Sequence, residues 1–248
     1  MNMEMENELY VEDIIVPLLA IPRNNPNKFR FLGTGFYIDS KGHLITCNHV
    51  ISSLLENEKI ISYQLGIKQE TEIEIIHISS KYDIALCKSI SPPSINIFWP
   101  FIDETLINLG SEVEVYGYVN EPIGPEKLPF RQRYLRGYIT GISRDDNYPD
   151  SFELSFPVLF GMSGSPLICH LKFEGVEKRQ TGIVGCAYGS RESEIVHHTV
   201  VESDDYKEKV SKIVELGMAL NPQAIFSIFK NTDVDIYVHT EKEIPLKS

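Results

Sequence analysis

The sequence predicts an all-β protein of two antiparallel β-barrels, with a short helix near the C-terminus. Three observations carry that expectation. Apolar runs are short, often alternate with polar residues and are punctuated by glycine and proline, as in Glu112-Val113-Glu114-Val115-Tyr116-Gly117-Tyr118. Long amphipathic helical patterns are almost absent. A proline-rich, aperiodic stretch, Ser91-Pro92-Pro93-Ser94 through Trp99-Pro100, reads as a crossover between two units, with the boundary within residues 91–110. A chain of 248 residues suits two small barrels or one large β unit.

The first barrel is expected over residues 9–95. An apolar run across 9–22 supplies its first strand and Asn24-Asn25-Pro26-Asn27 a loop. Residues 29–36 and 37–46 form a strand pair joined by the Ser40-Lys41-Gly42 turn. Val50-Ile51-Ser52-Ser53-Leu54-Leu55 has the spacing of one or two helical turns. Strands follow at 59–65, at 72–77, where glutamate and isoleucine alternate, and at Asp83-Ile84-Ala85-Leu86-Cys87. The second barrel is expected over 106–232, with strands at 112–118, 131–142, 152–156, 166–169 and 181–189. Pro222 to Phe229 has helix-like apolar spacing behind a proline, and 233–248 reads as an extended tail. Residues 190–209, acidic around His197-His198, read as a solvated loop inserted in the second unit.

A formal charge of −12 argues against nucleic-acid binding, because a polyanion is repelled. The basic cluster Arg131, Arg133 and Arg136 reads as a solvated strand edge that discourages sheet-to-sheet pairing. No apolar run is long enough to span a membrane, and the acidic first residues lack the pattern of a secretion signal, so the cytoplasm is the expected compartment. Cys47, Cys87, Cys169 and Cys186 form no C-x-x-C pair and have no metal-ligand spacing with histidine; each sits in an apolar run and reads as a buried, reduced thiol. Adjacent His197-His198 lacks a third ligand at suitable spacing, so neither a metal nor a cofactor is expected.

The chemistry concentrates at Gly161-Met162-Ser163-Gly164-Ser165-Pro166. A serine stands between two glycines, after Phe156-Pro157-Val158-Leu159-Phe160 and before the strand-like Pro166-Leu167-Ile168-Cys169. The glycine before it permits a backbone turn in which successive N–H groups point into one pocket and hold a developing oxyanion. A hydroxyl is a poor nucleophile until a histidine removes its proton, and that histidine needs a carboxylate to fix its tautomer. His49, in Thr46-Cys47-Asn48-His49-Val50, and Asp83, in Lys81-Tyr82-Asp83-Ile84-Ala85-Leu86, supply those two roles.

Together with Gly33-Thr34-Gly35-Phe36, these motifs resemble the chymotrypsin-like serine proteases, nearest in spacing to the bacterial HtrA-type and other trypsin-like peptidase domains. The resemblance spans about residues 30–230. It implies two six-stranded antiparallel barrels and a serine endopeptidase acting on protein or peptide substrates. Ser163 would be the nucleophile, His49 the general base and then acid, and Asp83 the orienter, with the N–H groups of Gly161 and Ser163 as oxyanion hole. The run from Thr181 to Gly189 resembles the segment that pairs with the substrate backbone, which assigns Gly185, Cys186 and Ala187 to substrate binding. Val158 and Phe160 are assigned to the pocket. Neither Pro157 nor Val158 is acidic, so an apolar or small residue is expected before the scissile bond rather than Lys or Arg.

Three departures from the family pattern matter. Met162 stands where many members carry an aspartate that pairs with a freshly cut N-terminus, so no activation by N-terminal cleavage is expected. Cys47 precedes His49 and Val50 follows it, unlike the histidine-adjacent disulfide of secreted members. No PDZ-like domain follows the barrels, which points away from self-contained quality control and toward a regulatory protein partner in a bacterial stress or defence system. The alternative is a protease-fold scaffold that binds a partner and cleaves nothing. An α/β-hydrolase is excluded, because its elbow needs a helix directly after the serine, where this chain has a strand-like run.

Overall fold

A computed structural model describes residues 11–94, 98–121, 129–143, 150–171, 180–203, 206–230, 232, 234 and 236–239; of 193–203 and 206–213 it describes the backbone alone. The first described element is a helical turn, α1 (Val11–Ile14), where the sequence suggested the start of a strand. Six strands follow: β1 (Ile15–Pro22), β2 (Arg30–Tyr37), β3 (His43–Cys47), β4 (Glu58–Gln64), β5 (Gln69–Ser79) and β6 (Ile84–Ser89). They close into a barrel in the order β1-β2-β3-β6-β5-β4. β1 pairs with β2 on one side and β4 on the other, and opposite Leu18/Leu19 the β2 strand carries a bulge at Leu32. One short helix, α2 (Asn48–Ser52), leaves the end of β3.

The second half comprises β7 (Phe101–Ile102), β8 (Glu112–Val119), β9 (Arg131–Ser143), β10 (Ser151–Leu154), β11 (Pro166–Leu171), β12 (Gln180–Ser203) and β13 (Tyr206–Leu220). It ends with α3 (Pro222–Phe226) and the two-residue β14 (Val238–His239). The strand order is β11-β8-β9-β10-β13-β12-β7-β14. Because β11 also pairs with β12, six of these strands close on themselves, while β7 and β14 extend the sheet from β12. The architecture is that of a chymotrypsin-like fold.

Three readings of the sequence change. Residues 190–203 and 206–209, read as part of a loop, are strand: they form most of a long antiparallel ribbon, paired from Ser190↔Gly217 to Ser203↔Tyr206. Outward from Leu216 the ribbon's two strands pair, among the described residues, only with each other. His197 and His198 lie opposite Ser211 and Val210 on it. Strand β9 is no sheet edge, being paired with both β8 and β10. Its arginines meet carboxylates: Arg133 and Arg131 bond Glu121 at 2.6 and 3.7 Å, and Arg136 bonds Glu112 at 2.7 Å. In the tail, Val238 and His239 pair in parallel with β7.

One apolar cluster fills the first barrel and runs on into the second half through Tyr118, Phe130, Ile168, Ile183, Cys186 and Leu220. Ala224, Ile225, Ile228 and Phe229 join it: α3 packs on β12, and the turn after it, residues 227–229, reaches β5 and β6 of the first barrel although it follows the second in sequence. A second cluster, including Val113, Val115, Ile139, Leu154, Met162 and Leu167, fills the other barrel. All four cysteines are buried and unpaired, as expected. Among the described residues no helix is long and apolar enough to cross a membrane.

Candidate active site

The pairing of β3 with β6 brings His49 and Asp83 together. Cys47 lies opposite Ile84, so the residues just beyond these strand ends become neighbours. There the Asn48 N–H donates to the Asp83 carbonyl at 3.1 Å. The Asp83 carboxylate grips His49 twice: Oδ2 lies 2.6 Å from Nδ1, and Oδ1 accepts from the His49 backbone N–H at 2.9 Å. The backbone contact seats the carboxylate and the ring contact orients the imidazole, so that Nε2, with no bonded partner among the described residues, is the nitrogen left to face a hydroxyl. Asp83 holds this geometry at φ 51°, in the left-handed region that aspartate tolerates better than most residues.

The serine turn is held from the first barrel. The Thr34 N–H donates to the Ser163 carbonyl at 3.0 Å, and the Thr34 hydroxyl donates to the Gly161 carbonyl at 2.9 Å. The same hydroxyl accepts from the Tyr118 N–H at 3.0 Å. Gly161 and Gly164 take φ of 98° and 89°, conformations that a side chain resists. Gly164 also touches Thr34, whose carbonyl oxygen would lie 2.0 Å from an added Cβ. Among the described residues, no bonded acceptor occupies the N–H groups of Gly161 and Ser163, the pair assigned to the oxyanion.

Ser163 itself points elsewhere. Its hydroxyl donates to the Tyr188 carbonyl at 3.1 Å rather than to His49. Tyr188 falls at the β-bulge between Ala187 and Gly189, which turns that carbonyl out of the ladder. Gly185, Cys186 and Ala187, assigned to substrate binding, lie inside the sheet: Cys186 pairs with Pro166 and Leu220, and Gly185 with Leu167. Ala187 spends its N–H on the Ser165 carbonyl and its carbonyl on the Gly164 N–H. The strand leaves the buried interior at the half-buried Tyr188, and its continuation becomes exposed at Ser190. Val158 is buried and clamped to that continuation, its N–H donating to Ser190 Oγ at 2.8 Å and its carbonyl accepting from it at 3.1 Å. Phe160 stands 85% exposed beside the serine turn, an apolar side chain open to a ligand.

Met162 is wholly buried in the second core, so a thioether anchors the turn from below. Cys47 lines the back wall, its thiol donating to the Ala187 carbonyl at 3.4 Å; burial, with Cys186 close by, pushes that thiol well up. Thr34 and Tyr188 were missed as site residues by sequence reasoning. The signal for Thr34 was present, since a threonine between two glycines is the place where another backbone can approach closely.

Residues 33–172, more than half of the chain, match the family described as Trypsin-like peptidase domain. The chain belongs to that family. This trypsin-like peptidase domain is 30% identical over 136 residues to an uncharacterized protein, y4bJ, of Sinorhizobium fredii. The alignment takes in 55% of the chain and 20% of that relative, so the chain spans about a fifth of its length. Among solved structures it is similar to the HtrA-type protease AlgW with a decapeptide, at TM-score 0.59 and 15% identity over 89% of this chain and 65% of that one. An AlgW variant with a tripeptide matches at TM-score 0.57 and 15% identity, over 88% and 60% of the two chains. At this identity the likeness is one of fold.

Proposed function

We propose that the protein is a serine endopeptidase that cleaves protein substrates through Ser163, His49 and Asp83 by way of an acyl-enzyme. The observation that carries the reading is the double grip of Asp83 on His49, 2.6 Å to the ring and 2.9 Å to the backbone. A carboxylate that only stabilised the fold would have no need to bond Nδ1 of a histidine whose side chain is 48% exposed. In the reaction Ser163 Oγ attacks the scissile carbonyl as its proton passes to His49 Nε2. The oxyanion is held by the Gly161 and Ser163 N–H groups, and the proton then goes to the leaving amine. Water repeats the sequence to release the acid.

The Ser163 hydroxyl must leave the Tyr188 carbonyl before it can give its proton to His49. That resting contact favours control by a bound protein partner or by substrate, in a bacterial stress or defence system. It equally favours a second reading, in which the same fold binds a partner and cleaves nothing.

A fluorophosphonate separates the two, because it reports an activated serine without a known substrate. The proposal expects one adduct by intact mass on the wild type and none on Ser163→Ala. Absence of an adduct on both, alone and with the partner bound, would leave the scaffold reading standing.

A further inference from the structure

The sequence shows no metal-ligand pattern around its cysteines, yet the barrel assembles one. Cys47 and His49 are two residues apart, and the β3–β6 pairing delivers Asp83 to them. The thiol, an imidazole nitrogen and a carboxylate oxygen of these three residues all lie within 4.8 Å of one another. Sulfur, nitrogen and oxygen donors converging on one point are the ligand set of tetrahedral zinc with an open fourth position. Zinc bonds of about 2.0–2.3 Å place such donors roughly 3.5 Å apart. The His49 Nδ1–Asp83 Oδ2 pair, at 2.6 Å, must open by about an ångström to admit the ion, while no two of the three donors are more than 4.8 Å apart. His49 and Asp83 are 48% and 31% exposed in their side chains, whereas the thiol is buried behind them. A cation entering the cleft therefore meets the imidazole and carboxylate first and the thiol last.

We propose that Cys47, His49 and Asp83 form an inhibitory site for a thiophilic divalent cation of the zinc type. Coordination releases the Cys47 proton to solvent, turns the thiol away from the Ala187 carbonyl, and replaces the bond between His49 Nδ1 and Asp83 Oδ2. With the cation on Nδ1, the imidazole proton resides on Nε2. That nitrogen can then no longer accept the proton of Ser163, and the base is lost. Inhibition rests on the protease reading above; binding does not.

The test uses the full chain, with Co²⁺ as a spectroscopic probe and Zn²⁺ for affinity. One Co²⁺ per chain is expected, with tetrahedral bands and a thiolate-to-cobalt charge-transfer band. Cys47→Ala should lose the charge-transfer band and bind Zn²⁺ more than about tenfold more weakly, since loss of even an outer-shell partner costs 10–100-fold. Should that variant misfold, Cys47→Ser replaces it. Cys169→Ala, on β11, and Ser163→Ala should keep both signals. Zn²⁺ should block fluorophosphonate labelling of the wild type but not of Cys47→Ala at the same concentration. Sub-stoichiometric cobalt, a spectrum without thiolate, or equal Zn²⁺ affinity in Cys47→Ala would overturn the site. A thiolate band on a protein that never labels would overturn the inhibitory role while leaving the site in place.

Discussion

The Ser163 hydroxyl donates to the Tyr188 carbonyl, 3.1 Å away, on a residue that a β-bulge has lifted out of its ladder. The bond is part-buried, and losing it strands little. Ser163→Ala should therefore cost about 1 kcal/mol of stability or less while removing all fluorophosphonate labelling. Urea unfolding beside the labelling assay checks both halves, and a large loss of stability would make Ser163 a structural residue.

Thr34→Val should behave in the opposite way. Its hydroxyl serves the Gly161 carbonyl and the Tyr118 N–H, both buried, and valine leaves each without a partner. At about 1–3 kcal/mol per stranded group the expected loss is roughly 2–6 kcal/mol, with slower labelling because the serine turn loosens. Thr34→Ser should recover most of both, and urea midpoints at equal m-value make the comparison.

Asp83→Asn should keep the fold, since asparagine also tolerates a left-handed backbone. Its amide cannot hold His49 in the tautomer that accepts a serine proton. In chymotrypsin-type enzymes the matching change lowers turnover by about 10⁴, and a fall of 10³–10⁴ in labelling rate is expected here. An unchanged rate would remove Asp83 from the mechanism.

Gly164→Ala meets two penalties at once. Its φ of 89° disfavours any side chain, and a Cβ would lie 2.0 Å from the Thr34 carbonyl oxygen. At least about 2 kcal/mol of destabilisation should follow, with loss of labelling, because the nucleophile turn cannot stay seated on β2. Circular dichroism melts and intact mass report the two effects separately.

Asp13 is buried with its Oδ1 unpartnered among the described residues, and desolvation, with Glu12 nearby, raises its carboxyl above the usual range. A carboxyl raised by folding is neutral in both states below its unfolded pKa. It opposes folding increasingly as pH climbs through the carboxylate range toward neutrality. Asp13→Asn should therefore stabilise the protein at pH 7, with the gain shrinking toward pH 4. Urea midpoints across that range give the sign, and a gain that grows on acidification would contradict it.

Much of the fold was legible because it is written locally. Alternation marked the strand at Glu112–Tyr118, a proline marked the start of α3, and the apolar run after Ser163 marked a strand where an esterase would have a helix. The ribbon of β12 and β13 was not legible. Its polar, charged stretch carries no apolar alternation, and what makes it a strand is its partner across the ribbon. Nor could the sequence tell that Ala187 is locked between Gly164 and Ser165 while the next carbonyl turns to the Ser163 hydroxyl, because a bulge depends on both of its neighbours.

By itself the sequence determined which chemistry is available: a serine in a glycine turn, and a histidine and an aspartate each at the end of an apolar strand. Those are properties of residue type and short spacing. Tertiary structure alone decided which groups meet. The register of β3 against β6 joins His49 to Asp83 and sets Cys47 beside them; Thr34 ties the serine turn to the first barrel; the bulge at Tyr188 draws the hydroxyl aside. Each of these depends on backbone pairing between segments tens of residues apart, and such pairing follows from how the barrels close rather than from any local run of residues.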